Sequence, residues 1–281
     1  MQDFLYWWQH LPSHMDPVIL QIGGFRLQYY GLMYIVAFAI TYGLAAYRLR
    51  HADRFQIDGE QLQGLMTAMI LGLIVGARLG YVLFYNLSYY LHHPLEIILP
   101  FEFSGGFRFT GITGMSYHGG LIGVIVATVI FVRKNRLGFF QTADLIVPGI
   151  PLGYTFGRLG NFINGELYGR VTTHPIGMFF PLAPGPGRRH PSQLYEAFFE
   201  GVVLFTVLWA IKDRIRTPGV MLGLYLIGYG LVRFLIEYTR EPDAHLGFVF
   251  MSFSMGQLLC AAMMLAGGAT ILVLRTTRRQ G

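Results

Sequence analysis

The chain has 281 residues, of which 53% are hydrophobic and 13% charged, with a formal net charge of +6. Soluble globular domains carry about twice that share of charge, so the several apolar runs of roughly 17 to 20 residues mark a polytopic membrane protein. No dense basic helix or aromatic-interleaved basic patch occurs, which sets nucleic acid aside as a partner, and the lone Cys260 excludes a disulfide within the chain.

At the amino end, Asp3, Asp16, two prolines and Trp7-Trp8 occur without a single Lys or Arg before Arg26, which is unlike a cleavable signal peptide. Phe4 to Trp8 reads as an interfacial anchor. Seven spans are expected in an all-α arrangement: Tyr30 to Tyr47, Leu62 to Tyr85, His118 to Phe131, Thr142 to Phe156, Leu194 to Ile211, Gly219 to Ile236 and Phe253 to Leu274. The third and fourth are short. Sorting the 21 Lys and Arg by alternate connections leaves 12 on one side, in groups around Arg48, Arg133, Lys212 and Arg275, against 7 on the other. The first side is therefore cytoplasmic, the amino terminus lies outside and the carboxyl terminus inside. The outward connections, Asn86 to Tyr117 and Arg158 to Gln193, are long and rich in Gly, Pro and aromatics, so chemistry is expected on the outer face of one membrane-embedded domain whose 158–193 loop forms a small head.

Arg78 and Arg233 lie inside the second and sixth spans. A guanidinium in hydrocarbon costs at least about 2.5 kcal/mol and cannot lose its proton, so each must be wetted or paired with an anion. At about 1.5 Å per residue they stand roughly 24 and 21 Å from the inner surface, near the outer side of a core about 30 Å thick. Tyr30, His118 and Arg158 sit at the same expected level, with Tyr229 one turn below Arg233, so polar groups from five or six spans converge there. Arg78 alone reads equally as a lipid contact, a snorkelling side chain or a tie between helices.

His118 opens the third span ahead of Gly119-Gly120. Its ordinary pKa near 6.5 suits a general base, and an interfacial hydrogen-bonding role is the other reading. The segment Gly157-Arg158-Leu159-Gly160-Asn161-Phe162-Ile163-Asn164-Gly165-Glu166-Leu167-Tyr168-Gly169-Arg170 is the densest functional candidate: glycines for close backbone approach, Asn161 and Asn164 as amide donors, Glu166 and two arginines as charge. It is not a phosphate-binding P-loop, and a structured turn leaving the membrane is the alternative. In His190-Pro191-Ser192-Gln193-Leu194-Tyr195-Glu196, Ser192 and Glu196 read as helix initiation, a capping box stretched by one position. Glu237 follows Arg233 by four residues on one helix face, either as a structural ion pair or as the orienter of an arginine that grips phosphate. No Gly-x-Ser-x-Gly elbow and no His or Cys cluster appears, so neither a serine hydrolase nor a catalytic metal or other cofactor is expected.

These residues carry a resemblance to bacterial prolipoprotein diacylglyceryl transferases. The 157–170 segment reads like that family's signature, and further matches follow in order: Tyr30 to Tyr34, Gly76 to Asn86 through Arg78, Tyr117 to Gly123, His190 to Glu196, and Tyr229 through Arg233 and Glu237 to Asp243. The stretch between Arg170 and His190 is shorter than in many members. The resemblance implies transfer of the diacylglyceryl group of phosphatidylglycerol to the thiol of the lipobox cysteine of a prolipoprotein, at the outer leaflet of the bacterial inner membrane, with release of glycerol phosphate. It implies that Arg158 and Arg233 are essential and that Tyr30, His118, Asn161, Glu166, Gly169, Tyr229 and Glu237 contribute to activity. A transporter for an anionic solute, or a lipid-binding assembly protein without catalysis, is the competing class. The outer placement of the charges and the absence of an internal duplication argue against transport.

Overall fold

The computed structural model describes residues 2–23, 25–99, 101–102, 108–109, 114–241, 248–250 and 253–280. Pro242 and Asp243 of the last motif, and most of 100–113 in the connection from Asn86 to Tyr117, lie outside the described residues. The chain opens with helix α1 (Gln2–His10) and the antiparallel hairpin β1 (Val18–Ile22) and β2 (Phe25–Gln28). Helices α2 (Tyr29–His51), α3 (Gly59–Tyr85) and α4 (Leu87–His92) follow, then the two-residue strands β3 (Phe101–Glu102) and β4 (Arg108–Phe109). Next come α5 (Tyr117–Lys134), α6 (Phe139–Ile146) and α7 (Ile150–Ile163). Helix α8 (Ser192–Tyr195), a π-helical segment (Glu196–Val203) and α9 (Leu204–Ile211) run on without a break. Helix α10 (Val220–Ile236), the strand pair β5 (Phe248–Phe250) and β6 (Phe253–Ser254), and α11 (Met255–Gln280) complete it.

Six helices among the described residues are long and apolar enough to cross a membrane: Tyr29–His51, Gly59–Tyr85, Tyr117–Lys134, Ser192–Ile211, Val220–Thr239 and Met255–Thr276. The chain is a multi-pass, all-α membrane protein. The remaining expected span, Thr142 to Phe156, falls where α6 meets α7 through a 3₁₀ turn at Val147–Gly149. The break has a covalent cause. Pro148 has no N–H for the carbonyl of Asp144, four residues back, and its ring crowds that carbonyl. Arg48 repairs the loss by donating through Nη1 to the carbonyl of Asp144 and, at 2.7 Å, to that of Leu145. Arg48, sorted by sequence with the inner-loop cations, is a buried side chain. The Asp144 carboxylate in turn accepts from the backbone N–H groups of Gly219, at 2.8 Å, and Leu222, at 2.9 Å, and so caps α10 from a distant part of the chain.

The chain forms two compact units. In the unit Arg54–Thr142, α3 and α5 pack along glycines at four-residue spacing. A Cβ on Gly76 would stand 2.4 Å from the Gly119 carbonyl, and one on Gly123 2.0 Å from that of Gly72. Only hydrogen fits at those points, and the small faces let the two backbones touch. Asp58 starts α3 with a capping box completed by Gln61, and Ser116 starts α5 by accepting from the N–H of Gly119 at 3.2 Å. In the unit Met1–Asp53 with Ala143–Gly281, α7 lies on α2 and α10 on α11. A Cβ on Gly153 would meet the Ala37 carbonyl at 2.7 Å, and one on Gly230 the Cys260 carbonyl at 2.9 Å. Cys260 is a buried core residue of α11, as its sequence context indicates.

Candidate active site

Helix α7 turns its glycine face to α2, where a Cβ on Gly160 would stand 3.3 Å from the side chains of Tyr30 and Met33. That packing sends Tyr154 and Arg158, one turn apart, toward the π-helical segment. The Arg158 Nε donates to Tyr154 Oη at 2.6 Å and lies 2.7 Å from Glu196 Oε2, while its guanidinium carbon stands 4.7 Å from the Tyr154 ring centre. Nη1 of Arg158 donates to Asn161 Oδ1 at 3.2 Å. Tyr154 Oη donates onward to Glu200 Oε2 at 2.5 Å.

The same two glutamates meet α10. Arg233 Nη1 donates to Glu196 Oε1 at 2.5 Å and lies 3.9 Å from Glu200 Oε1; its Nη2 lies 2.9 Å from Glu237 Oε2, the i,i+4 pair expected from the sequence. Arg240 also donates to Glu196 Oε1, at 2.7 Å, and its Nε lies 3.4 Å from the same Glu237 Oε2. Glu237 is further fixed by the Ser254 hydroxyl, which donates to Oε1 at 3.0 Å. Glu196 and Glu200 have no exposed side-chain surface, and the three arginines keep about 15%. Three guanidinium groups and three carboxylates thus share one buried cluster whose formal charges cancel. Stripping water from each ion costs several kcal/mol, and mutual attraction offsets that cost only while every partner is present.

The π segment sets this geometry. Its i→i+5 bonding widens the helix over the stretch that buries Glu196 and Glu200, and Thr155 Oγ1 donates to the Ala197 carbonyl at 3.2 Å. Gly201 is required there, since a Cβ would stand 2.0 Å from Thr155 Oγ1.

Beyond α7 the signature segment folds as a bonded turn. Glu166 Oε1 accepts from Asn161 Nδ2 at 2.9 Å and from Asn164 Nδ2 at 3.4 Å, so Asn161 links Arg158 to Glu166. Gly165 and Leu167 turn the chain with φ of +68° and +59°. Gln193 Nε2 and Ser192 Oγ donate to the carbonyls of Glu166 and Leu167 at 2.6 and 2.9 Å, so the 190–196 motif braces this turn as well as starting a helix. Gly169 bridges to Arg240, and a Cβ on it would stand 2.2 Å from the Thr239 carbonyl. Arg189 is buried against the Tyr168 ring and pairs with Glu241 at 2.6 Å, closing the loop. His190 Nδ1 lies 3.2 Å from Tyr195 Oη; burial, and after it the neighbouring His174, lower its pKa from the ordinary imidazole value.

Arg158, Arg233, Glu237, Asn161, Glu166 and Gly169 are therefore joined in one network. Tyr30 borders it at Gly160, with its hydroxyl 3.0 Å from that of Tyr34, and the Tyr229 ring stands edge-on to Tyr154 at 5.8 Å. Arg78 and His118 belong to the other unit. There Arg78 Nε donates to the Ile97 carbonyl at 2.8 Å, Nη1 to that of Gly114 at 3.4 Å and Nη2 to that of Glu96, with its guanidinium over the Tyr90 ring. His118 is exposed in the first turn of α5, its ring edge-on to Tyr117. Among the described residues no three His, Cys, Asp or Glu side chains are grouped to hold a metal ion.

Sequence reading missed Glu196 as the hub, together with Glu200, Tyr154 and Ser254. Treating Glu196 as a helix-start residue hid a signal that was present: two carboxylates four residues apart inside the apolar run Ser192–Ile211, where an unpaired acid is costly.

Comparison with known proteins agrees along nearly the whole chain. Residues 17–273 match the family model described as prolipoprotein diacylglyceryl transferase. A protein of Chlorobaculum tepidum named phosphatidylglycerol–prolipoprotein diacylglyceryl transferase is 55% identical over 274 residues, covering 97% of this chain and 94% of its own. Proteins of the same name from Bordetella parapertussis and Geobacter sulfurreducens are 48% and 47% identical, covering 92% and 95% of this chain and 95% and 98% of theirs.

Proposed function

The chain belongs to the prolipoprotein diacylglyceryl transferase family, and from that premise we propose how its buried charge cluster performs the transfer. The protein is a membrane transferase that moves the diacylglyceryl group of phosphatidylglycerol to a prolipoprotein, the first step of lipoprotein maturation. We assign the acceptor as the thiol of the lipobox cysteine, and the site to the outer-leaflet side of the bacterial inner membrane, with the 158–193 loop as its outer head.

The thiolate attacks C3 of the glyceryl group, the C–S bond forms as the C3–O bond breaks, and the electron pair leaves with glycerol phosphate. The phosphodiester carries one negative charge, and the released monoester carries on the order of −1.5 to −2 near pH 7. Negative charge therefore grows on the phosphate as the bond breaks. Fixed cations aimed at that phosphate stabilise the transition state more than the ground state. Arg158 and Arg233 are the cations of this proposal, since a planar fork matches phosphate oxygens in pairs. Glu196 and Glu237 hold the two forks in register between turnovers, and Glu166, through Asn161, holds Arg158 from its other side. Gly169 lets the outer turn close on Arg240, and Tyr30 and Tyr229 border the cluster. Arg78, with its donors on three carbonyls, is assigned as a tether of the outer connection.

A thiol of ordinary pKa near 8.5 needs a proton acceptor, and His118 is assigned that role on its chemistry and its motif. The single observation that carries the reading is Glu196: one fully buried carboxylate on which three guanidinium groups converge inside a membrane protein.

The test is direct. Detergent-purified protein, phosphatidylglycerol and a lipobox peptide should yield a diacylglyceryl thioether by mass spectrometry, and a Cys→Ser peptide should yield none. Absence of product from folded protein rejects the assignment. His118→Gln keeps a hydrogen bond but no proton acceptor near neutral pH; it should lose most turnover, and retention of activity makes His118 structural.

A further inference from the structure

Tyr154 and Glu200 stand one step behind the arginine that the preceding reading places on the phosphate. Arg158 has one N–H on Nε, and Tyr154 Oη takes it at 2.6 Å. The hydroxyl can accept in that direction because its own proton is spent at 2.5 Å on Glu200 Oε2. The tyrosine ring lies 4.7 Å from the guanidinium carbon, so the plane as well as the edge of the fork is fixed. Glu200 is wholly buried, and its other oxygen lies 3.9 Å from Arg233 Nη1, so the same carboxylate addresses both arginines. The register depends on the π segment and on the close approach of Gly201 to Thr155.

We infer that Tyr154 and Glu200 are positioning residues for the transfer: the chain Glu200–Tyr154–Arg158 pins the Nε edge so that the two terminal nitrogens meet the lipid phosphate as a fixed fork. The inference rests on the assignment of Arg158 to the phosphate. Neither residue touches substrate: Tyr154 acts through Arg158 and Glu200 through Tyr154, since its 3.9 Å approach to Arg233 is too long for a hydrogen bond. Without the hydroxyl, the Nε–H turns wholly to Glu196 Oε2, already within 2.7 Å, and the fork tilts away from its working angle.

The experiment compares Tyr154→Phe, Glu200→Gln, the double variant and Arg158→Ala in the phosphatidylglycerol and lipobox-peptide assay, with each substrate titrated separately. Tyr154→Phe keeps the ring beneath the guanidinium and removes only the hydroxyl. It should lower kcat/KM for phosphatidylglycerol about tenfold to a hundredfold, the scale of one hydrogen bond to a charged group, while leaving the peptide KM unchanged. Glu200→Gln should do the same, and the double variant should be no worse than the poorer single one, because both break one chain. Thermal melting in detergent separates these losses from unfolding, and should Glu200→Gln fail to fold, Tyr154→Phe alone decides. If Arg158→Ala is inactive but a folded Tyr154→Phe stays within twofold of the parent, the inference is overturned and the phosphate assignment stands. If Arg158→Ala turns over normally, the phosphate assignment itself falls.

Discussion

In the unit Met1–Asp53 with Ala143–Gly281, Arg158, Arg233 and Arg240 are held by carboxylates, whereas in Arg54–Thr142 Arg78 is held by the carbonyls of Glu96, Ile97 and Gly114. The two solutions to one problem, a permanent charge among apolar helices, differ in what they permit. A carboxylate, like a phosphate, offers a guanidinium a pair of anionic oxygens, so a guanidinium oriented by it is already set to receive an oxyanion. A backbone carbonyl is neutral and fixed in the chain; an arginine that fills three of them secures a loop. The helices differ in parallel. Around Arg78, α3 and α5 meet along glycines with no room for a methyl group, while around Arg233 the π segment opens the helix to bring in two acids. One region is built for contact and the other for charge.

The strongest way to break this contrast is to remove the carboxylate-held cations. Arg158→Ala should lower turnover by at least about 100- to 1000-fold, the scale of a lost donor to a developing oxyanion. Arg233→Lys should fall comparably, because a point charge does not reproduce the two-pronged fork. Both are read in the thioether assay alongside a melting curve. Near-parental turnover by either variant would remove the phosphate clamp.

Next in size is the hub. Glu196→Ala leaves three buried guanidinium groups facing two carboxylates, and breaking a buried pair in this way costs about 3 to 5 kcal/mol. The melting temperature should fall sharply, and Glu196→Gln, which keeps the shape and one acceptor, should fall less. Equal melting of Glu196→Ala and the parent would mean that water already reaches the cluster, and the distinction between the two regions would lose its basis.

Much of this was legible in residue order. Arg233 and Glu237 declare themselves by a spacing of four, and the 157–170 segment by its density of glycine, amide and charge. The apolar runs locate six membrane-length helices. What stayed hidden depends on contacts between distant segments. The interruption near Pro148 follows from a missing N–H, but its repair by Arg48 does not, because nothing local says that a cation next to a basic loop turns inward. The π segment has no periodicity of its own to betray it. Glu196 looked like a cap because a serine precedes it by four, and Tyr154 looked like one more aromatic in a span. Each acquires meaning from a partner at least 37 residues away.

The smallest expected effect on catalysis sharpens the contrast most. Arg78→Gln keeps a donor but cannot fill three carbonyls, and unsatisfied buried acceptors cost about 1 to 3 kcal/mol. Melting should therefore fall while kcat/KM for phosphatidylglycerol stays within about threefold of the parent, the pattern of a residue that contributes nothing specific to the transition state. Of the alternatives the sequence left open for Arg78, the lipid contact makes the opposite forecast: unchanged melting and lost turnover. Measuring both quantities on one preparation decides between them, because a tether and a phosphate ligand differ in which of the two numbers moves.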